Sequence, residues 1–321
     1  MGNIISQDIE QAVALLTAGE LVAIPTETVY GLAGNIFNPS AIRKIFAMKQ
    51  RPLFNPLIVH IHSFDQLDEF VLYLPEKARW LAEAFWPGPL TLILPKKPLI
   101  PDLITADKPT VAVRMPNHPL MLALLRKLPF PLAAPSANPS GGISPTKAEH
   151  VANYFSDTLK MVLDGGDCTQ GIESTIIGFD GDQPVVYRLG SLSMEAIKAV
   201  VGDLPLRNKK EQTPDAPGML SRHYAPDTKT YLVDDVAAFI SGKDNQKIGV
   251  LLFQHPLNQA SLSAEIILSP EGDLAEATAK LYASLHQLDA MDLDLIVAER
   301  FPDQGLGKSI NDRLERATKE K

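Results

Sequence analysis

Cysteine and metal-ligand clusters are nearly absent from this sequence. Its 321 residues include one cysteine, Cys168, so no disulfide can form within the chain. No group of cysteine and histidine residues has the spacing of a zinc site. A chain without disulfides fits a reducing compartment. We therefore expect a cytoplasmic protein without a structural metal ion.

Long apolar runs and an excess of basic residues are also missing. Runs such as Leu90–Leu94 and Val250–Phe253 are much shorter than the roughly 20 residues that span a bilayer. The N-terminus has no signal-peptide pattern. The formal charge is −8, whereas a dedicated nucleic-acid-binding domain has a basic patch. We expect no membrane partner, and at most weak contact with RNA.

The length of the chain and the order of its predicted elements indicate two α/β domains. Many short strands with interspersed helices are predicted in residues 1–207, and the first helix is expected to be capped by Ser6. Residues 208–226 have no apolar periodicity and read as an interdomain linker. Strands and helices then alternate in residues 227–321, which predicts a small parallel α/β domain.

Two motifs near the first strands could contribute a polar site. PTETVYGLAG, Pro25–Gly34, places three hydroxyls and a carboxylate after a strand, where α/β sheets bind ligands. In KQRPLFNPLIVHI, Lys49 and Arg51 flank a helix end and could reach a phosphate, and His60 lies in the next strand. Each pattern also has a structural explanation: a locally bonded turn, a basic helix end or a buried core histidine.

The remaining candidates lie at strand ends and in one loop. TVAVR, Thr110–Arg114, ends in an arginine that needs either an internal carboxylate or an anionic ligand if it is buried. APSANPSGGISPT, Ala134–Thr146, is rich in small and hydroxyl residues and could cradle a phosphate, but the sequence contains no GxxxxGK[ST] motif. GIESTIIGF, Gly171–Phe179, and VVYRLG, Val185–Gly190, read as a hairpin with hydroxyls at one end and an arginine at the other.

The ordered set of these motifs resembles the YrdC-like threonylcarbamoyl-AMP synthase family. The motifs are PTETVYGL, K-x-R-P-x-x-NPL, a strand-end arginine, SANPSG, ESTI and YRLG. The linker motif PGM-x-x-RHYAP resembles the long, two-domain form of the family, while the last 95 or so residues match only in placement and size. The resemblance implies a first domain with a large, twisted, mostly mixed sheet and an open cleft. It also implies a smaller, Rossmann-like parallel second domain.

The resemblance further implies a reaction. Family members are nucleotidyltransferases that combine L-threonine, bicarbonate and ATP into threonylcarbamoyl-AMP and pyrophosphate. The ATP is expected to arrive with Mg²⁺, and the product passes to a tRNA threonylcarbamoyl transferase. The substrate brings its own nucleophile, so the protein needs cations and good positioning more than a nucleophilic side chain. A site rich in arginine, lysine and hydroxyls suits that chemistry.

Transferred residue by residue, the resemblance predicts three groups of site residues. The L-threonine site is predicted at Thr28, His60, Arg114, Ala134 and Ser174, with Arg114 pairing with the substrate carboxylate. The ATP contacts are predicted at Arg51, Asn55, Thr110, Ser136, Ser144, Arg188 and Tyr224. Lys49 and Arg51 form the predicted catalytic cation pair. Tyr224 would help the linker close over the nucleotide as a lid, although Ala216 stands where many relatives have a serine.

Two alternatives stay open at this stage. A YrdC-like protein could bind RNA without synthase activity, although the acidic composition and the lack of an aromatic and basic stripe disfavour this. The same fold could instead hydrolyse an acyl-adenylate or carbamoyl phosphate. Salt-dependent RNA binding would favour the first alternative, whereas threonine-dependent release of pyrophosphate would exclude both.

Overall fold

The structure of the protein is a computed structural model that describes residues 4–208, 217, 223–243, 245–259 and 261–319. Most of the predicted linker, including Ala216, lies outside the described residues. None of the helices in the described ranges is long and apolar enough to span a bilayer. The first sheet lies within residues 5–188 and the second within residues 230–299. The domain bounds 1–207, 208–226 and 227–321 stay a prediction.

Ten strands of the described chain form the first sheet. They are β1 Ile5–Ser6, β2 Val22–Ile24, β3 Gly31–Asn35, β4 Ile58–His60, β5 Leu90–Pro95, β6 Thr110–Arg114, β7 Leu132–Ala133, β8 Val162–Leu163, β9 Thr175–Asp180 and β10 Gln183–Arg188. Their order in space is β1-β8-β2-β3-β7-β4-β6-β5-β9-β10. Some neighbouring strands are parallel, such as β4 and β6, and others are antiparallel, such as β5 and β6. The sheet is therefore mixed, as predicted.

Eight helices among the described residues accompany this sheet. They are α1 Ile9–Thr17, α2 Pro39–Lys49, α3 Leu67–Phe70, α4 Glu76–Phe85, α5 Asp102–Thr105, α6 Pro119–Lys127, α7 Ala148–Phe155 and α8 Met194–Val201, with a 3₁₀ turn at Phe64–Gln66. The prediction that Ser6 caps α1 is wrong. Asp8 is the cap: its carboxylate accepts the backbone N–H groups of Glu10 and Gln11, because it directly precedes the first turn, while Ser6 belongs to β1.

The second sheet is parallel throughout. Its elements are β11 Thr230–Val233, α9 Val236–Ile240, β12 Ile248–Leu252, β13 Ala264–Ile267, α10 Leu274–Asp289, β14 Leu295–Glu299 and α11 Gly307–Ala317. The strand order is β11-β14-β12-β13. Parallel strands need crossover connections, and helices α9, α10 and α11 lie between or after the strands. The predicted small parallel α/β domain is thus confirmed as a fold class.

Strand register brings polar and apolar side chains to one face of the first sheet. His60 of β4 pairs with Arg114 of β6, and Ile58 pairs with Ala112. Because side chains two residues apart point to the same face of a strand, these four side chains share that face. Ile58, Ala112 and Ile93 of β5, with Ile176 of β9, form an apolar cluster separate from the other cores. One face therefore has a charged end beside an apolar strip.

The turn after α2 places the predicted cation pair. Asn38 caps the helix and Pro39 occupies its first turn, both typical of a helix start. The helix ends at Gln50, whose φ of 51° is left-handed. This single residue reverses the chain between Lys49 and Arg51, so the two cations leave the helix in different directions.

A glycine lets the second part of the chain pack closely against the first. Gly171 has a φ of +73°, and a Cβ built there would lie 2.3 Å from the carbonyl oxygen of Ala279 in α10. Any other residue would therefore be strained and would also push α10 away. Two residues later comes Glu173, so this close approach sets the distance between α10 and the wall of the site described next.

Candidate active site

Nine of the predicted site residues line one cleft. They are Thr28, Arg51, His60, Arg114, Ala134, Ser136, Ser174, Arg188 and Tyr224. The cleft lies at the charged end of the sheet face and encloses about 590 Å³ of space, part of it open to solvent. The motifs that supply these residues are up to 196 positions apart in sequence, from Thr28 to Tyr224. The fold therefore brings most of the predicted set together.

One end of the cleft is organised around Arg114. Its Nη1 donates to Thr28 Oγ1 at 2.9 Å, and its Nη2 lies 2.8 Å from Glu27 Oε1. Thr26 and Thr28 share a hydrogen bond of 2.9 Å between their hydroxyls. Glu27 is 6 % exposed and Arg114 is 4 % exposed. Glu27 thus supplies the internal carboxylate that a buried arginine requires, and the guanidinium still faces the cleft.

His60 lies beside Arg114 and is neutral. Burial and, to a smaller extent, the charge of Arg114 lower the pKa of His60 to about 3. Its Nδ1 is buried and has no hydrogen-bond partner. Buried polar atoms normally find a partner within the protein or in ordered water. An unpartnered ring nitrogen here is suited to a bond with a ligand.

Arg51 and Arg188 form the opposite, cationic side of the cleft. Arg51 Nε donates to the carbonyl of Asn55 at 3.2 Å, and its Nη2 donates to the carbonyl of Pro56 at 2.9 Å. Burial, followed by the charge of Arg188, lowers the pKa of Arg51 to about 9, so it remains charged at neutral pH. Arg188 donates to the carbonyl oxygen and the hydroxyl of Ser174 at 2.9 and 3.1 Å. All these partners are uncharged, which leaves two positive charges facing the cleft.

Four predicted site residues do not line this cleft. Lys49 is buried, and its ammonium donates to the carbonyl of Ser136 at 2.6 Å and to that of Asn138. Asn55 is buried beside Arg51, with both side-chain polar atoms unpartnered. Ser144 donates to Glu173 at 2.6 Å. These placements put Lys49 behind the loop that contains Ser136 and put Ser144 behind Glu173, so their functional roles stay predictions.

Thr110, the fourth, lies at the far end of the apolar strip. It starts β6 and pairs with Pro95 of β5. Together with Ile93, Gly178 and Tyr187 it lines a separate pocket. Thr110, Ala112 and Arg114 alternate along one strand and therefore share one face. The two pockets are thus connected by the apolar strip.

Glu173 is a cleft residue that the sequence predictions missed. It accepts hydrogen bonds from Ser144 at 2.6 Å, Tyr282 at 3.0 Å and Arg313 at 3.0 Å. Burial would raise the pKa of this carboxyl, but Arg313 and Arg188 outweigh burial and hold it at about 2. The ESTI motif did contain Glu173. Its partners could not be inferred, because Tyr282 and Arg313 lie more than 100 positions further along the chain.

The end of the linker closes one side of the cleft. Tyr224 is 1 % exposed, has a left-handed φ of 62°, and has an unpartnered hydroxyl. Its ring stacks on Tyr282 at 5.8 Å, and the guanidinium of Arg313 lies 4.9 Å from the ring centre. His223, also missed, lines the cleft with an unpartnered Nδ1, and burial lowers its pKa to about 3.

The geometry defines a class of site before any comparison with other proteins. Within the described ranges, no cluster of three or more His, Cys, Asp or Glu side chains could hold a metal ion. Among the described residues that line the cleft, no hydrogen bond joins a hydroxyl to a histidine ring, which is the arrangement that activates a hydroxyl as a nucleophile. What remains is an α/β sheet face with an arginine and hydroxyl pocket, two further buried arginines and an adjoining apolar strip. This defines a site for a small carboxylate ligand beside a larger anionic one.

Comparisons with known proteins agree with this class. Residues 14–190 match the Sua5, YciO and YrdC family, whose description is "Telomere recombination", and residues 192–318 match "Threonylcarbamoyl-AMP synthase, C-terminal domain". The threonylcarbamoyl-AMP synthases of Pyrococcus abyssi and Bacillus subtilis are 39% and 42% identical. Each alignment covers 96% of this chain, and 93% and 92% of those proteins respectively. The chain therefore belongs to the threonylcarbamoyl-AMP synthase family.

A solved structure supports the same relationship. The crystal structure of P. abyssi Sua5 complexed with L-threonine superposes with a TM-score of 0.90 at 38% sequence identity. The match covers 98% of this chain and 96% of that one. Both sheets therefore occur together in the relative, and the predicted fold class is confirmed.

Proposed function

We propose that this protein forms threonylcarbamoyl-AMP from L-threonine, bicarbonate and ATP. The observation that supports this most strongly is the single cleft in which the pocket of Arg114, Thr28 and His60 opens beside Arg51 and Arg188. An amino acid and a nucleotide could lie there side by side. The names of the relatives, and the L-threonine complex of one of them, support the same assignment.

L-threonine is assigned to the end of the cleft that contains Arg114. Its carboxylate pairs with the guanidinium, whose position is fixed by Thr28 and Glu27. The neutral ring of His60 remains for the polar groups of the substrate, and the hydroxyl of Ser174, which already bonds to Arg188 and Thr91, lines the same cleft. A neutral imidazole is useful here, because a second fixed positive charge would repel the ammonium group of the amino acid. Ala134 limits the size of the pocket.

ATP is assigned to the cationic side and the apolar strip. Arg51, Arg188 and the hydroxyl of Tyr224 lie where phosphates would bind, and Mg²⁺ would enter with the nucleotide. From there the strip that includes Ile58 and Ala112 leads to Thr110, which explains why this residue lies outside the main cleft. A flat base suits such a strip, since aromatic ligands bury apolar surface.

The chemistry needs positioning rather than a protein nucleophile. The amine of threonine forms a C–N bond with bicarbonate and releases water, giving an N-carboxylate. One oxygen of that carboxylate then bonds to the α-phosphorus of ATP as the bond to pyrophosphate breaks. Arg51 and Arg188 stabilise the charge that develops on the phosphates. The reaction is that of a nucleotidyltransferase.

Lys49 is assigned an indirect part in this reaction. Its ammonium holds the carbonyls of Ser136 and Asn138, so it fixes the loop that faces the phosphates. Burial and the adjacent charge of Arg51 lower the pKa of Lys49. Asn55, whose amide atoms are buried without partners, is available to the nucleotide.

The product chemistry implies a partner. Threonylcarbamoyl-AMP is a mixed anhydride that water hydrolyses readily, so a transferase must take it up soon after release. A tRNA threonylcarbamoyl transferase in the cytoplasm is the consumer that fits the family. The acidic charge of −8 leaves at most weak contact between this protein and tRNA itself.

An omission experiment tests the proposed function. Purified protein is incubated with ATP, Mg²⁺, bicarbonate and L-threonine, and pyrophosphate release is followed while each component is left out in turn. We expect release to require ATP, bicarbonate and threonine together, and the adenylate product to appear by mass spectrometry. Equal release with L-alanine, or without any amino acid, would overturn the assignment.

A further inference from the structure

Two side chains from the second part of the chain reach the wall of the cleft. Tyr282 of α10 and Arg313 of α11 both bond to Glu173, which lines the cleft. The side chain of Arg313 is fully buried, at 0 % exposure. A buried arginine is costly unless each of its nitrogens is bonded. Its position at this boundary therefore calls for an explanation beyond packing.

Arg313 is held in one orientation by three separate contacts. Its Nε donates to Glu173 Oε2 at 3.0 Å, its Nη2 to the carbonyl of Leu189 at 2.6 Å, and its Nη1 to Asp312 Oδ2 at 2.9 Å. Leu189 directly follows Arg188 in the chain. Arg313 thus fixes both the carboxylate and the backbone beside the cleft arginine.

The charge of Glu173 determines what Arg188 can bind. Arg188 donates to the carbonyl of Ser174, to its hydroxyl and to the carbonyl of Pro217, at 2.9 to 3.2 Å. In the part of the chain that the structure describes, none of its contacts is a carboxylate. Glu173 nevertheless lies close enough to affect the pKa of Arg188 electrostatically. If Glu173 lost Arg313, the charge of Arg188, which acts on the same carboxylate, would be left to stabilise it.

We propose that Arg313, with Tyr282, is a positioning residue for the reaction: it neutralises Glu173 so that Arg188 stays available for the phosphates of the nucleotide. This inference rests on the proposed function, because it assumes a nucleotide in the cleft. It gives α10 and α11 an indirect part in the chemistry, through Glu173. The same two residues also contact the ring of Tyr224. Arg313 and Tyr282 therefore hold both Glu173 and Tyr224, which line different parts of the cleft.

The test separates the two substrates. In Arg313→Met, Glu173 is left charged and captures Arg188. We expect KM for ATP to rise about tenfold or more, while KM for L-threonine changes less than about twofold. The double variant Glu173→Gln with Arg313→Met should recover most of the loss, since a neutral amide does not compete for Arg188. ATP binding measured by calorimetry without threonine should follow the same order.

Arg316→Met is the matched control. Arg316 is a buried arginine on the same helix, and its guanidinium donates to Asp312 at 2.9 Å and to the carbonyl of Asn208 at 3.3 Å. It should lose stability without the selective rise in KM for ATP. If Arg313→Met does not fold, Arg313→Lys and the double variant are measured in its place, with the same expectations of partial and nearly full recovery.

Four results would overturn the inference or separate it from the proposed function. Equal changes in KM for both substrates, or a double variant no better than Arg313→Met, would show that Arg313 only holds the fold together. The same selective rise in KM for ATP in Arg316→Met would also overturn it. If the unmodified protein showed no threonine-dependent release of pyrophosphate, the proposed function would be refuted instead. The calorimetric measurements of ATP binding would then be the test of the role of Arg313.

Discussion

The cleft and the boundary between the two sheets are both buried and polar, yet they differ in how their polar groups are bonded. Among the described residues, the buried side-chain nitrogens and oxygens that lack a hydrogen-bond partner include those of His60, His223 and Tyr224 in the cleft, and none of Glu173, Asp312 or Arg313. At the boundary, Glu173, Asp312 and Arg313 are bonded to one another or to backbone. Since proteins rarely leave buried polar atoms unpaired, the difference separates a surface built for ligands from one built for rigidity.

This contrast has an energetic consequence. Each buried polar atom that lacks a partner costs about 1–3 kcal/mol. The cleft is therefore less stable alone than with ligands that complete its bonds, and threonine and ATP should stabilise the protein when they bind. The boundary gains nothing from ligands directly. Mutations in the two regions should accordingly affect different measurements.

The largest effect is expected from Arg114→Ala. It removes the charge that would bind the threonine carboxylate and leaves Glu27 buried without its partner. We expect kcat/KM for threonine to fall about 100-fold or more, or roughly 3 kcal/mol, in a pyrophosphate-release assay. The stabilisation by threonine in thermal unfolding should disappear as well. Arg43→Ala, an exposed arginine of α2, is the control and should leave both unchanged. If Arg114→Ala had an unchanged KM for threonine, the assignment of threonine to this end of the cleft would be wrong.

Gly171→Ala should disrupt the packing of α10 against the first sheet, with little direct effect on the side chains that line the cleft. The added Cβ combines a left-handed φ of +73° with an approach of 2.3 Å to the carbonyl of Ala279. We expect a loss of about 3 kcal/mol or more in the free energy of unfolding, measured by urea titration. Gly181→Ala is matched for conformation, with a φ of +61° and open space around the Cβ. It should lose only about 1–2 kcal/mol; equal losses would mean that the close packing on α10 is unimportant.

The two stacked tyrosines allow the sharpest comparison. Tyr224→Phe removes an unpartnered hydroxyl, so we expect unchanged or slightly higher stability and an activity lower by about tenfold. Tyr282→Phe removes a hydroxyl that donates to Glu173 at 3.0 Å. Tyr282→Phe should lower the free energy of unfolding by about 1–2 kcal/mol. It should reduce activity less than Tyr224→Phe does. Both variants need steady-state kinetics and urea unfolding under the same conditions. The opposite order in either measurement would contradict the division into ligand surface and scaffold.

The sequence predicted the cleft better than it predicted the boundary, and for a physical reason. Local motifs predict that Arg114, Ser174 and Arg188 lie at the ends of strands. Pairing of those strands in one sheet then brings the three residues close together. Lys49 shows the limit of this reasoning. Its position after a helix was readable, but whether its ammonium points to a ligand or to the carbonyls of Ser136 and Asn138 depends on a loop more than 80 residues away.

The boundary was not predictable because no local pattern encodes it. Tyr282 and Arg313 lie on amphipathic helices, where they read as ordinary half-buried positions. Their contact with Glu173 depends on how α10 and α11 pack against the first sheet, which the spacing of motifs cannot show. The prediction of Ser6 as the helix cap was wrong because Asp8, two residues further on, is adjacent to the first helical turn. The motif order was informative because it fixes strand ends, and strand ends are where this cleft is built.

The smallest effect expected concerns two histidines at the boundary. The rings of His150 in α7 and His286 in α10 stack at 3.9 Å, and His286 also contacts the carbonyl of Ser144 at 3.2 Å. Burial and then the charge of the partner ring lower the pKa of His150 to about 3, and burial lowers that of His286 to about 4. Both rings are therefore neutral in the folded protein at pH 5, where the unfolded chain protonates them.

Stability should consequently be greatest above pH 6.5 and should fall as the pH drops from 6.5 toward 4, because only the unfolded state takes up these protons in that window. With a discount for partial exposure, the pair should contribute on the order of 1 kcal/mol per pH unit. Urea unfolding at pH 8, 6 and 5 measures this for the unmodified protein and for His150→Gln with His286→Gln, which should have the shallower slope. His60 and His223 remain in both proteins, so their contribution cancels in the difference. Equal slopes would show that the neutral rings do not hold α10 against α7, and the boundary would then depend on Glu173 and its partners.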